Sequence, residues 1–377
     1  MSNSRVVIVQ DYVPEYRVPF FNLLGEELNR RNITLEVILD KKINILNRNG
    51  DSSTISPQTL FLDSLSLKAG KTQVRFRKIS RNEISADLLI VEQAAKNVST
   101  WVIIFIRKLL RKPTALWGHG IDYVNIGGPI SRGLRRYMIN LSSHVLVYTS
   151  GAAQRLILEG VPSDKITSVQ NSTDTLALKR NLKLITDDQR KNFIHSFDLS
   201  ENLVLFLGSL DVNKNLDLLF SATQVAHEAD PSLTLAIVGE GPLRKYVEEA
   251  ASRQTWIRFL GRSDEAKLMA LASCKAIVIP GRVGLVAADA LASGLPVVTV
   301  RSALHAPEFH YLNENTTCLL SEATPISLAS KIIESISTDF QTLSRREALL
   351  ESDKYSIEKM TKNFVHGITK TLGLRDV

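Results

Sequence analysis

Cysteines, aromatics and long apolar runs are all scarce in this sequence. Cys274 and Cys318 are its only two cysteines, too few for a disulfide scaffold, and both fall in segments that read as core. A reducing compartment is therefore expected. No apolar run approaches the roughly 20 residues a membrane helix needs, and the first strand reads as starting almost at once, leaving no room for a signal peptide. The expected location is cytoplasmic, with peripheral attachment at the inner face of the cytoplasmic membrane as an option. Aromatics make up only 6% of the chain, and without a basic-aromatic platform nucleic acid is not an expected partner. No His, Asp or Glu cluster has metal-ligand spacing, so no metal or other cofactor is expected.

What is present is an ordinary globular composition with a basic balance. The net charge is +7 over 377 residues, which suits an anionic partner: nucleotide, nucleic acid or acidic membrane alike. That length favours two domains. In the C-terminal half, apolar runs at 203–208, 233–238, 256–260, 276–280, 296–300 and 316–320 alternate with helical spacing. This is the pattern of a parallel sheet covered on both faces. The N-terminal half repeats it at 5–9, 33–39, 72–78, 87–91, 114–117, 144–148 and 166–169, and 40–57 reads as an exposed loop. The expected fold class is α/β, with two doubly wound domains facing a central cleft: 1–179, a connection at 180–201, and 202–352. A helical segment, 353–377, is able to pack on either. Ligands of such sheets bind at the carboxyl ends of the strands.

The stretch 281–298, GRVGLVAADALASGLPVV, carries the most chemistry. It reads as a glycine-bearing loop, an alanine-rich helix and a buried strand. A loop leading into a helix N-terminus offers backbone N–H groups to phosphate. Asp289, alone in an apolar run, is expensive to bury unless something satisfies it, and ribose hydroxyls are one such partner. Lys214, after the strand that ends at Gly208, is placed to meet a diphosphate; the alternative is a solvated lysine. In IVGEGPLR (237–244) the glycines read as architecture, with Glu240 and Arg244 as weaker donor-side candidates. His119, between two glycines in LWGHG, is suited to a sugar hydroxyl or a proton transfer, or is satisfied locally in its turn. Tyr16 and Arg17, in the loop after the first strand, are acceptor-side candidates, against the alternative of a surface arginine. The segment 101–112 and the cluster Arg132, Arg135 and Arg136 combine apolar and basic character. They fit an anionic membrane surface or a core helix with a basic end.

Taken in order, YRVPFF, WGHG, QNSTDT, FLGSLDVNKNLDLL, IVGEGPLR, VGLVAADALASGLPVV and HAPE run nearly end to end, and the chain resembles the family 4 glycosyltransferases. The resemblance implies a GT-B fold and a retaining, metal-independent transfer from a nucleotide sugar. It implies that Lys214 and the N–H groups around Val283, Gly284 and Leu285 hold the donor diphosphate. Asp289 would meet the ribose, His119 would lie near the transferred sugar, and Glu308 would stand on a donor-side loop. Two positions depart from the family pattern: Gly281 replaces the first acid of a pair, and Ser209 replaces an arginine on the donor side. Arg282 and Arg244 are the candidates to compensate. The resemblance also implies a glycan or lipid-linked acceptor and a setting in bacterial surface polysaccharide assembly, such as O-antigen, capsule or exopolysaccharide. Two rival readings are a sugar-nucleotide epimerase and a non-catalytic nucleotide-sugar-binding subunit.

Overall fold

The structure, a computed structural model, describes residues 3–41, 55–69, 72–94, 97–120 and 128–374. Most of the loop expected at 40–57 lies outside the described residues. Contacts divide the chain into two units: Met1–Asp174 with Ile357–Val377, and Thr175–Ser356.

The first unit is built on a parallel sheet of β1 (Ser4–Gln10), β2 (Ile33–Asp40), β3 (Gln58–Leu62), β6 (Leu88–Glu92), β7 (Thr114–Gly118), β8 (His144–Val147) and β9 (Ile166–Ser168), in the order β3-β2-β1-β6-β7-β8-β9. Between β3 and β6 lies an antiparallel hairpin of β4 (Ser64–Ala69) and β5 (Thr72–Arg77). The middles of the central strands are apolar on both sides because both faces are covered. Val7, Leu89, Leu116 and Val145 face one layer of helices, and Val6, Ile8, Ile90 and Ala115 face the other.

The C-terminal helix Ile357–Leu372 belongs to this unit. Phe364 packs against Phe20 and Trp117, with ring centroids 4.9 and 4.8 Å apart. A Cβ at Gly367 would come within 2.6 Å of Leu146, so glycine allows the helix to sit directly on β8.

The second unit repeats the plan with β10 (Asn202–Leu207), β11 (Leu233–Val238), β12 (Ile257–Gly261), β13 (Ala276–Val278), β14 (Val297–Val300) and β15 (Cys318–Ser321), all parallel, in the order β12-β11-β10-β13-β14-β15. The segment expected as a connection, 180–201, holds the end of helix Thr175–Leu184 and helix Asp187–Ser196. Leu178 and Phe193 join the core of the second unit. Cys274 and Cys318 are both buried free thiols. Among the described residues no helix is long and apolar enough to cross a membrane.

Candidate functional site

The carboxyl ends of β10 and β13 bring the two loops of interest in the second unit together. After β10 the chain runs through Gly208 and Ser209 to a short 3-10 turn, Val212–Lys214. Asp211 shapes this loop: it accepts hydrogen bonds from the Ser209 hydroxyl (2.6 Å) and the Asn213 N–H (2.8 Å). Burial pushes the Asp211 carboxyl up, but these bonds and nearby Lys214 outweigh it and hold the group below its ordinary range. Ser209 is thus a loop-shaping residue in a position the resemblance gives to the donor.

Lys214 does not point into open solvent. Its Nζ donates to the Arg282 carbonyl at 2.6 Å and would touch a Cβ at Gly208 at 3.5 Å. Burial and the Arg282 charge lower its pKa, against the pull of Asp211. The Arg282 N–H in turn donates to the Asn213 carbonyl at 2.8 Å. Gly281 lies beneath this pair of bonds. A Cβ there would fall 2.1 Å from the Asn213 carbonyl oxygen and 2.5 Å from the Lys214 carbonyl carbon. The missing acid at 281 therefore has a steric cause: the backbone of the lysine loop occupies the space a side chain would need.

Beyond Arg282 the loop enters helix Val286–Ser293 without a side-chain cap. The Val283 N–H donates to Nδ1 of His305 at 3.3 Å, whose Nε2 lies 3.1 Å from the Val300 carbonyl. This pairing requires a neutral ring protonated on Nε2, and burial lowers the His305 pKa accordingly. The N–H groups of Gly284 and Leu285 find no acceptor among the described residues. They are the part of the loop still able to receive an anion. His305 itself was legible only as the first letter of HAPE. Glu308 is buried in the 3-10 turn Pro307–Tyr311.

Asp289 is buried in helix Val286–Ser293, where Lys267 reaches it at 2.7 Å. An internal lysine already meets the cost of its burial, so that cost no longer argues for a ribose. Arg244 lies on an exposed face between Glu240 and Glu248, 2.7 Å from each. Gly239 and Gly241 are architectural, as expected. A Cβ at 239 would sit 2.0 Å from the Gly208 carbonyl oxygen and one at 241 would sit 2.5 Å from that of Leu210.

The first unit holds the remaining candidates. His119 is exposed just past β7, its ring edge-on to Tyr148 at 4.8 Å. The flanking glycines serve the turn rather than a ligand: a Cβ at Gly118 would meet Gln93 at 2.9 Å and one at Gly120 would meet Val147 at 2.7 Å. Arg17 is not a surface arginine. It is buried, with its guanidinium 4.8 Å from the Trp117 ring centre and 5.6 Å from that of Tyr16, and it donates to the Tyr148 hydroxyl at 3.0 Å. Tyr16 is partly exposed beside it.

Two doubly wound parallel sheets, each with its polar loops at the strand carboxyl ends, define the GT-B class of fold. Solved structures agree along the whole chain. A glycosyltransferase from Rickettsia africae matches with a TM-score of 0.72 at 13% identity over 99% of both chains. HepE of Anabaena, solved in complex with UDP, matches at 0.69 and 15% identity over 97% of this chain and 99% of that one. A putative UDP-N-acetylglucosamine 2-epimerase from Listeria monocytogenes matches at 0.65 and 15% identity over 100% of this chain and 98% of that one. Within the second unit, residues 201–338 match the family model described as Glycosyl transferases group 1. No curated protein matches the chain by sequence.

Proposed function

We propose that the protein is a retaining glycosyltransferase that moves a sugar from a nucleotide-sugar donor to an acceptor hydroxyl without a metal. The observation that carries this reading is the loop pair of the second unit, where Lys214 and the N–H groups of Gly284 and Leu285 lie on loops bonded to each other. That pair lies inside the segment matching the glycosyltransferase model. The UDP bound to HepE, a protein of the same fold, supports a nucleotide donor.

Catalysis here consists mainly of stabilising the departing diphosphate. A helix N-terminus and a lysine supply positive potential where negative charge develops. The anomeric C–O bond to phosphate breaks, the bond to the acceptor oxygen forms on the same face, and the departing phosphate oxygen takes the acceptor's proton. Asp289 and Glu308 complete the donor side of the second unit, and in the first unit Tyr16 is assigned to the acceptor. Arg244, held by two glutamates, makes no donor contact in this reading; Arg282 contributes through its backbone.

Gly284 gives a clean check of the cradle. A Cβ there meets only Ala306, at an ordinary 3.6 Å, so Gly284→Ala is expected to fold normally. If phosphate approaches this backbone, calorimetry will show donor affinity falling by about tenfold, or about 1.4 kcal/mol. Unchanged affinity would place the phosphate elsewhere.

The epimerase of the same fold keeps a second reading open. Incubation with a nucleotide sugar alone separates the two: an isomerised donor marks an epimerase, whereas transfer that appears only with an added acceptor marks a transferase. A protein that binds donor and turns over nothing is the non-catalytic subunit.

A membrane-associated acceptor, as in surface polysaccharide assembly, fits one further feature. Helix Val98–Leu109 and the residue after it expose Val102, Phe105, Leu109 and Leu110, and helix Pro129–Leu141 exposes Leu134 and Tyr137. Trp101 stacks on Tyr137 at 6.1 Å. Lys108, Arg111, Arg132 and Arg136 are exposed alongside, whereas Arg107 is buried and bound to the carbonyls of Glu83, Ala86 and Pro113. This apolar and basic surface suits peripheral binding to an anionic bilayer.

A further inference from the structure

The last rung of the first sheet breaks the apolar pattern of its own face. One rung earlier that face carries Ile8, Ile90 and Ala115. The register continues from Val9 beside Val91 and pairs Glu92 with Trp117, which sets Gln10, Glu92 and Trp117 side by side. Arg17 lies over the Trp117 ring. Gln10, Arg17 and Trp117 are only 2%, 8% and 1% exposed. Even so, among the described residues both amide atoms of Gln10, Nε of Arg17 and Nε1 of Trp117 have no hydrogen-bond partner.

An unsatisfied buried polar atom costs about 1–3 kcal/mol. Several of them side by side at the end of one sheet mark a surface whose hydrogen bonds a polar ligand would complete. The array offers donors from Arg17, Trp117 and the Gln10 amide, and acceptors from the Gln10 carbonyl and the Glu92 carboxyl. Asp11, Arg17 and Arg75 face Glu92, and Asp11 is itself ion-paired with Arg75. Two acids beside two arginines suit neither an anion nor a cation. They suit a neutral group that both donates and accepts, and a sugar hydroxyl does both. Tyr12 and Tyr16, exposed on the loop leading to Arg17, add aromatic faces of the kind that stack on sugar rings.

We propose that this rung binds the hydroxyls of a neutral sugar on the acceptor, with Gln10, Glu92 and Trp117 contacting it and Nε of Arg17 donating beside them. The inference rests on the glycosyltransferase reading for the identity of the ligand as acceptor. Burial and Asp11 push the Glu92 carboxyl up to about 7, against Arg17 and Arg75. The folded state then holds a proton that the unfolded state has already lost between the ordinary carboxyl value and 7, so this group's contribution to stability falls as pH rises through that window. Glu92→Gln removes the slope, and its melting point is expected to rise relative to wild type as pH increases across that window.

The test is ligand-observed NMR on the full chain with methyl glycosides of glucose, galactose, mannose and N-acetylglucosamine. Wild type is expected to bind at least one of them. Gln10→Leu and Glu92→Gln should each weaken that binding by about tenfold, the loss of one hydrogen bond to a buried polar group. Gln10→Leu should melt at the same temperature as wild type or higher, because it removes a buried amide that is unsatisfied without ligand. Binding of no glycoside, or equal binding by wild type and both variants, would overturn the proposal. So would a Gln10→Leu variant that melts lower yet binds as wild type does. Failure of the glycosyltransferase reading would show separately, as absent nucleotide-sugar binding by the second unit, which neither variant touches.

Discussion

Alanine at position 281 is expected to destabilise the second unit and to abolish donor binding together. The added carbon would lie 2.1 Å from the Asn213 carbonyl oxygen and 2.6 Å from the Lys214 Cα. Both are backbone atoms of a loop fixed by its own bonds, so no flexible side chain is available to yield. Overpacking of this kind costs about 1–3 kcal/mol. Moving the loop away also breaks the Arg282 N–H bond to Asn213, about 1 kcal/mol more. The melting point should fall by roughly 4–15 °C in thermal unfolding. Calorimetry should show no donor binding, because the same displacement carries Lys214 off the Arg282 carbonyl. Gly281→Glu, which supplies the acid absent at this position, is expected to fail in the same way. A Gly281→Ala variant that melts and binds like wild type would mean the two loops are not in contact as described.

Lys214→Met should separate binding from folding. Methionine keeps an apolar stem beside Gly208 and removes only the charge and its bond to the Arg282 carbonyl. The melting point is expected to change little. Donor affinity should fall by about 10- to 150-fold, equivalent to 1.5–3 kcal/mol for a charge-assisted bond. Transfer should fall further, by about 10²–10³, because charge builds on the diphosphate in the transition state. Since the lysine's pKa is lowered, wild-type activity is expected to decline at alkaline pH below the ordinary lysine range. The Met variant should lack that limb of the profile. Arginine is not expected to rescue fully, because a broad planar group replaces the compact ammonium that sits 2.6 Å from the Arg282 carbonyl.

Much of the architecture was legible in the sequence because buried parallel strands write themselves as continuous apolar runs. Strands Val297–Val300 and Leu233–Val238 are of this kind. Strands at 58–62 and 64–69 were not, because the first is a short, mostly unburied edge strand with only three apolar residues and the second alternates polar and apolar residues in a hairpin. The phosphate cradle was readable from loop and helix chemistry, but the reasons for its composition were not. Gly281 looked like a lost acid, and only the approach of a loop nearly seventy residues distant shows why no side chain fits. Asp289 invited a ligand because Lys267, on another helix, cannot be paired with it from sequence. Glu92 and Gln10 are single polar residues ending apolar strands, and their alignment on one rung depends on strand order.

The most direct measurement is the melting point of the wild-type protein in the presence of a panel of nucleoside diphosphate sugars. A ligand at 100 times its Kd stabilises the native state by about 2.7 kcal/mol. At least one member of the panel is therefore expected to raise the midpoint by roughly 5–10 °C, with Lys214→Met showing a much smaller shift. A midpoint unmoved by every nucleotide sugar at millimolar concentration would contradict a donor site on the 208–214 and 281–289 loops.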